Sequence, residues 1–265
     1  MYETNYHKAS SAAEAADLVS KSEDGKFLGG GQTLLPTMKQ RLAAPVDLVD
    51  VTGIADMNGI REDGGGVAIG GATTHAEVAA SALVKQRLPG LASLAGGIGD
   101  PAVRHMGTIG GSVSNNDPAA DYPAALVALG ATVVTSKREI PAEGFFTGMF
   151  ETALDDDEVV VSVKFPGASA SAYAKYPNPA SRYAMAGVFV AKGSDGSVKV
   201  AVTGAGQGGV FRMGDMEAAL ASNWSADAVA GISPGPDNML SDIHGSAAYR
   251  ANLVTVMAKR AVAAA

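Results

Sequence analysis

Apolar and polar positions alternate along the chain in two registers. Ser10 to Ser20 (SSAAEAADLVS) carries Ala, Leu and Val at helical spacing behind a Ser-rich start, which predicts a helix running into the turn Ser22-Glu-Asp-Gly25. Lys26-Phe-Leu28 then reads as a short strand, Gly29-Gly-Gly-Gln-Thr33 as a loop, and Leu34 to Leu42 as a helix with Pro36 tolerated in its first turn. Leu48 to Val51 and Val67 to Gly70 predict further strands around the turn-rich Arg61 to Gly66, and Thr74 to Ser81 predicts a helix capped by Thr73 or Thr74. After a second glycine-rich stretch, Gly96 to Ser112, the pattern predicts a helix through Leu129 stopped by Gly130, then strands over Ala131 to Thr135 and Glu158 to Phe165.

Pro166 to Ala172 (PGASASA) reads as a linker. Beyond it Arg182 to Lys192 and Ser197 to Thr203 predict a strand pair joined by Gly193-Ser-Asp-Gly196, and Met213 to Leu220 and Ala247 to Ala265 predict helices. A mixed α+β domain over 1–166 followed by a smaller sheet-plus-helix domain over 173–265 is therefore expected.

Composition narrows the chemistry. The 265 residues include 33 Gly, about 12% against a usual share of about 7%, without a Gly-X-Y period. Net charge is −7 and the 20 Lys and Arg form no basic run, so a nucleic-acid partner is not expected. No apolar stretch reaches the ~18 residues of a membrane span, and the start lacks a leader layout, from which a cytoplasmic protein is expected. With no Cys, the chain offers no thiolate nucleophile, no Cys-ligated metal and no thiolate-held iron–sulfur cluster. The four His are dispersed without paired-ligand spacing, which points to surface or capping roles, and Asp155-Asp-Asp-Glu158 reads as a solvated turn; no metal site is expected.

The excess glycine is clustered. Gly204 to Gly209 (GAGQGG) matches G-x-G-x-x-G, but too few strands follow for a doubly wound sheet, so a tight turn between strand and helix is expected. In Gly97-Ile-Gly-Asp-Pro-Ala102, Asp100 repels phosphate and Pro101 lacks an N–H, which removes it as a dinucleotide loop. Gly29 to Thr33, at the end of a strand, can converge backbone N–H groups on an oxyanion, or be a plain turn. Thr108-Ile-Gly-Gly-Ser112 offers a similar cradle with hydroxyls at both ends. Together the two could grip the two phosphates of one pyrophosphate.

Ordered blocks of residues then resemble the flavin-binding medium subunit of the molybdenum hydroxylases, the carbon monoxide dehydrogenase and xanthine dehydrogenase family. They are Gly29 to Lys39 (GGGQTLLPTMK), Ile69 to His75 (IGGATTH), Asp100 to Ser112 (DPAVRHMGTIGGS), Asn115 to Asp121 (NNDPAAD), and, past the linker, Lys175, Asn178 to Ala184 (NPASRYA) and Val202 to Gly206 (VTGAG). The resemblance implies a two-subdomain FAD-binding fold of the vanillyl-alcohol-oxidase type with a small antiparallel-sheet-plus-helices C-terminal domain. It implies that Gly29, Gly30, Gly31, Gln32 and Thr33 and Thr108, Ile109, Gly110, Gly111 and Ser112 bind the pyrophosphate of FAD, flanked by Lys26, Leu28 and Leu34. Asp121 matches a carboxylate that hydrogen-bonds the cofactor, Ile98 and Val160 match apolar flavin contacts, Lys175 a lysine near the ring, and Tyr183 an aromatic neighbour of the isoalloxazine. An arginine and an aspartate common in the family are replaced here by Ser181-Arg182. Read without the resemblance, Asp121 could cap a helix at Pro123, Lys175 could be a solvated strand residue, and Tyr183 could be core.

In this family the substrate reacts at a molybdopterin on a large partner chain, and two [2Fe-2S] clusters sit on a small one. The resemblance thus implies an electron-transfer subunit with no catalytic acid or base of its own, in a heterotrimer that is itself doubled. A stand-alone flavin oxidoreductase acting on a small substrate is the alternative, disfavoured by the absence of a substrate-sized insertion. A degenerate assembly scaffold is a third reading, disfavoured by the intact glycine segments.

Overall fold

The computed structural model describes every residue, Met1 to Ala265. Three strands, β1 (Asn5–Lys8), β2 (Gly25–Leu28) and β3 (Asp47–Asp50), form a parallel sheet in the order β1-β3-β2. Helix α1 (Ala12–Lys21), capped by the Ser11 side chain, and α2 (Leu34–Lys39) make the crossovers that parallel strands require. Ala15 and Val19 of α1 meet Val49, Val51, Ile54 and Met57 in a small core.

A second sheet is antiparallel throughout, in the order β4-β5-β10-β6-β7, from β4 (Ile60–Asp63), β5 (Gly66–Gly70), β6 (Thr132–Thr135), β7 (Glu139–Pro141) and β10 (Val160–Phe165). Arg61 to Asp63, expected as turn, is strand β4; only Gly64 and Gly65, both at positive φ, make the turn. Six helices lie between β5 and β6 in the chain: α3 (His75–Ala80), α4 (Ala82–Arg87), α5 (Pro89–Gly96), α6 (Pro101–Met106), α7 (Ile109–Asn115) and α8 (Tyr122–Leu129). Thr74 caps α3 in a reciprocal pair with Glu77. Every residue of α8 is buried, and Gly130 ends it in the left-handed conformation, φ 64°. A one-turn helix α9 (Ala142–Phe145) leads into the hairpin β8 (Phe146–Gly148) and β9 (Glu151–Thr152).

The third sheet is antiparallel, β11 (Ala168–Pro177), β12 (Ala184–Gly193), β13 (Val198–Thr203) and β14 (Phe211–Arg212) in sequence order. The expected linker is a correction: only Pro166 and Gly167 lie outside strands, because Ser171 and Ala172 are needed for a close contact. A Cβ on Gly90 of α5 would lie 2.8 Å from the Ala172 nitrogen, and the Gly90 N–H donates to Ser171 Oγ. Phe189, Ala191 and Ala201 of the third sheet join the core built on α5 and α8, while the opposite face is covered by α10 (Gly214–Ser222) and α11 (Ala247–Ala264). Gly204 to Gly209 connects β13 to β14, strand to strand rather than strand to helix. The α+β architecture stands as expected.

Candidate functional site

β2 ends where Leu28 accepts from Val51 N–H, and the chain then leaves the sheet through three glycines. Gly31, at φ 68°, turns it into α2. None of the five backbone N–H groups from Gly29 to Thr33 has an acceptor in the protein. Gly30 is buried and Gly29 and Gly31 half-buried, so these free donors are partly withdrawn from solvent at the start of a helix, an arrangement that can converge on an anion.

The second glycine segment lies directly against the first. A Cβ on Gly30 would fall 1.8 Å from the Met106 carbonyl oxygen and 2.7 Å from Gly107 Cα, and one on Gly29 would fall 2.9 Å from Thr108 Oγ1. Only glycine permits this approach. One expectation changes here. Thr108 to Ser112 is not a loop but the start of α7, with Thr108 as its cap. Its N–H groups are spent within the protein: Ile109 donates to Thr73 O, Gly110 to Gly71 O and Ser112 to Thr108 O. The Gly111 N–H donates to the Thr108 hydroxyl at 3.1 Å, so this segment presents hydroxyls and one shareable N–H rather than a backbone nest.

Both segments face one cleft of about 670 Å³, within the usual size of a cofactor pocket. Sixteen of the eighteen positions singled out above line it. The other two do not: Ile109 is fully buried on the inner side of α7, and Lys175 is held against Asp121 outside the lining. Lys26 sits at an exposed edge beside Asp24, Leu28 and Leu34 are half-buried, Ile98 precedes α6, and Val160 opens β10.

Asp121 is 5% exposed and does not cap α8 with its side chain. Its carboxylate accepts from the Tyr173 hydroxyl and from Lys175 Nζ at 3.0 Å, and Lys175 also donates to Gly97 O at 2.9 Å. Burial raises the Asp121 carboxyl above its ordinary range, opposed by the Lys175 ammonium and the Tyr173 hydroxyl. Lys175 is thus neither a solvated strand residue nor a cleft residue; it ties Asp121 to the end of α5. Tyr183, 48% exposed at the mouth, stands at the end of a loop closed by Asn178 N–H donating to Tyr183 O, with Arg182 at φ 64°. It is not core.

Other lining residues carried no signal in the sequence. Phe150, exposed at φ 57°, is held at the β8–β9 tip by Asn116, which accepts from its N–H and donates to Gly148 O and Glu151 O. His75 is 5% exposed, contrary to the surface or capping role expected of it. Glu158 is likewise buried rather than solvated: burial alone would raise its carboxyl, but Arg138 and Thr135 hold it down at about 2. Of the rejected motifs, Asp100 caps α6 through Val103 N–H, and Gly204 packs on Ala184 O.

Residues 2–168 match the family described as the FAD binding domain in molybdopterin dehydrogenase. The chain belongs to this family. Over nearly its whole length it is similar to the carbon monoxide dehydrogenase medium chain of Hydrogenophaga pseudoflava, at 34% identity covering 98% of this chain and 96% of that one. It is equally similar, at 34%, to the nicotine 6-hydroxylase medium subunit of Paenarthrobacter nicotinovorans, covering 97% and 95%. A solved carbon monoxide dehydrogenase from Hydrogenophaga pseudoflava, one lacking the Mo-pyranopterin moiety of its cofactor, superposes with a TM-score of 0.86 at 35% identity, covering 99% of this chain and 97% of that one. As a member of the FAD-binding molybdopterin dehydrogenase family the chain is an oxidoreductase component, and no helix in it is long and apolar enough to cross a membrane.

The cleft suits that cofactor on its own terms. Unpaired N–H donors meet a glycine wedge at its centre, and apolar side chains such as Leu28, Ile98 and Val160 flank them.

Proposed function

We propose that this chain is the flavin subunit of a multi-subunit molybdenum hydroxylase, taking electrons from [2Fe-2S] clusters on a small partner and passing them to an external acceptor. A large partner carries the molybdopterin, and the working assembly is a dimer of heterotrimers. The observation that carries the reading is the five unpaired N–H groups of Gly29 to Thr33 set against Met106, Gly107 and Thr108 in one cleft. When bound, FAD supplies one- and two-electron redox chemistry.

This chain's own residues bind and orient. Gly29 to Thr33 direct neutral backbone donors at a pyrophosphate, which suits a protein of net charge −7 with no cluster of Arg and Lys. Thr108 Oγ1 and the Gly111 N–H meet it from α7. Ile98 and Tyr183 bound the flavin end. Asp121 reaches the cofactor only through lone pairs not already taken by Tyr173 and Lys175, so its position is set by that buried pair. With no Cys anywhere, the chain depends on a partner for the clusters. Relatives at the same identity are named for carbon monoxide and for nicotine, which favours a substrate choice made on another chain.

Purification of the native assembly tests this. A flavin spectrum together with a Cys-rich small chain and a molybdenum-bearing large chain is expected; a colourless chain that rejects FAD even with its partners present would overturn it.

A further inference from the structure

His75 is a buried titratable residue on the cleft wall, separate from the free donors of Gly29 to Thr33. It is the first residue of α3, and its backbone N–H donates to Gly107 O. A Cβ on Gly107 would lie 2.7 Å from His75 Nε2 and one on Gly30 would lie 2.7 Å from Gly107 Cα, so Gly107 adjoins both the His75 ring and the wedge where the glycine segments meet. Nε2 makes no hydrogen bond within the protein and is not sealed, whereas Nδ1 is sealed without a partner.

Only three side-chain polar atoms in the chain are sealed and unpaired: His75 Nδ1, the Tyr122 hydroxyl, and Arg250 Nε in the C-terminal part. The His75 and Tyr122 rings lie 5.4 Å apart, tilted by 46°. A buried hydroxyl without an acceptor is costly, and the imine nitrogen of a neutral imidazole is the acceptor at hand. Burial and the Asp121 charge push the Tyr122 hydroxyl up, so it stays a donor. Burial and the Arg104 charge push His75 down to about 4, so the ring is neutral at pH 7 and carries one proton.

We propose that Tyr122 donates to His75 Nδ1, directly after a small ring rotation or through one buried water, and that the proton this leaves on Nε2 makes His75 a neutral donor to a phosphate oxygen of FAD. The proposal rests on the FAD reading. It answers a need of the site, because the second glycine segment has spent most of its backbone N–H groups on Gly71, Thr73 and Thr108. A neutral N–H also spares the cleft the burial of a second charge beside Arg104.

The test uses the full chain labelled with ¹⁵N-histidine. At pH 7.5 without FAD, the ring nitrogens of His75 are expected to show a protonated Nε2 and an unprotonated Nδ1, and Tyr122→Phe to mix the tautomers. His75→Gln, whose amide places an N–H near Nε2, is expected to hold FAD within about threefold of the unmodified chain, and His75→Leu to weaken it about tenfold or more. A proton on Nδ1, or His75→Leu holding FAD as tightly as the unmodified chain, would overturn the proposal. If His75→Leu does not fold, FAD affinity in Tyr122→Phe decides: a loss supports the proposal and no change refutes it. Failure of the unmodified chain to take FAD even with its partners would refute the FAD reading and with it the phosphate bond, while the tautomer would still decide the Tyr122 link.

Discussion

Gly30 stands against the Met106 carbonyl so closely that a methyl group on its Cα would lie 1.8 Å from that oxygen. This contact joins two segments some 75 residues apart and brings the free N–H groups of Gly29 to Thr33 up to Thr108. Gly30→Ala must push backbone from backbone, since no flexible side chain is there to yield. Its expected cost is at least about 2 kcal/mol, seen as a lowered denaturation midpoint, together with loss of bound flavin. An alanine variant with unchanged melting and full flavin would show that the segments are not in contact.

Gly110 and Gly111 are neighbours with opposite predicted behaviour. A Cβ on Gly110 would lie 2.6 Å from Gly71 O, whereas one on Gly111 would meet only the Thr108 hydroxyl, at 3.1 Å. Gly110→Ala is expected to lose about 1–3 kcal/mol of stability by lifting α7 off Gly71. Gly111→Ala is expected to keep or gain up to about 1 kcal/mol yet bind FAD more weakly, because the methyl group takes cleft space beside the shareable N–H. Melting curves and flavin titrations on the pair separate packing from binding; equal effects on both variants would contradict the assignment.

Asp121 and Lys175 form an ion pair at 3.0 Å with side chains only 5% and 10% exposed. Removing one partner strands the other, so Asp121→Ala and Lys175→Met are each expected to cost about 3–5 kcal/mol. The double variant Asp121→Ala with Lys175→Met is expected to be less destabilised than the sum of the two, by urea denaturation. Additive losses would mean that the two do not interact.

Stability should also depend on pH through His75. Burial, and secondarily Arg104, lower its folded value from 6.5 to about 4. Between these values the unfolded chain binds the proton and the folded chain does not, so stability rises with pH across the window and falls as pH drops from about 6.5 to 4. The slope sums to about 3 kcal/mol. His75→Gln should flatten this part of the pH profile; an unchanged profile would place the dependence elsewhere.

The first glycine segment was legible in the sequence because strand, glycines and Pro36 follow one another locally. The second reads as a loop because two glycines weaken any helix; α7 forms through the Thr108 cap and the seating of Gly110 on Gly71, a contact across about 40 residues. Pro166 to Ala172 reads as a linker because its side chains are small, yet at Ser171 and Ala172 the strand backbone is approached closely by Gly90, a contact across about 80 residues. Asp121 was visible as a chemical group, but its partners Tyr173 and Lys175 lie more than 50 positions on. The burial of His75 and of Glu158 likewise follows from tertiary packing that no local pattern encodes.

In the proposed site the backbone of Gly29 to Thr33 holds the pyrophosphate of FAD. Amide resonances of the ¹⁵N-labelled chain, followed as FAD is added, test it most directly. Downfield shifts are expected for amides in Gly29 to Thr33 and for Gly111, with Ile109 and Gly110 much less moved because their protons already serve Thr73 and Gly71. Bound FAD that leaves the Gly29 to Thr33 amides unmoved would contradict it.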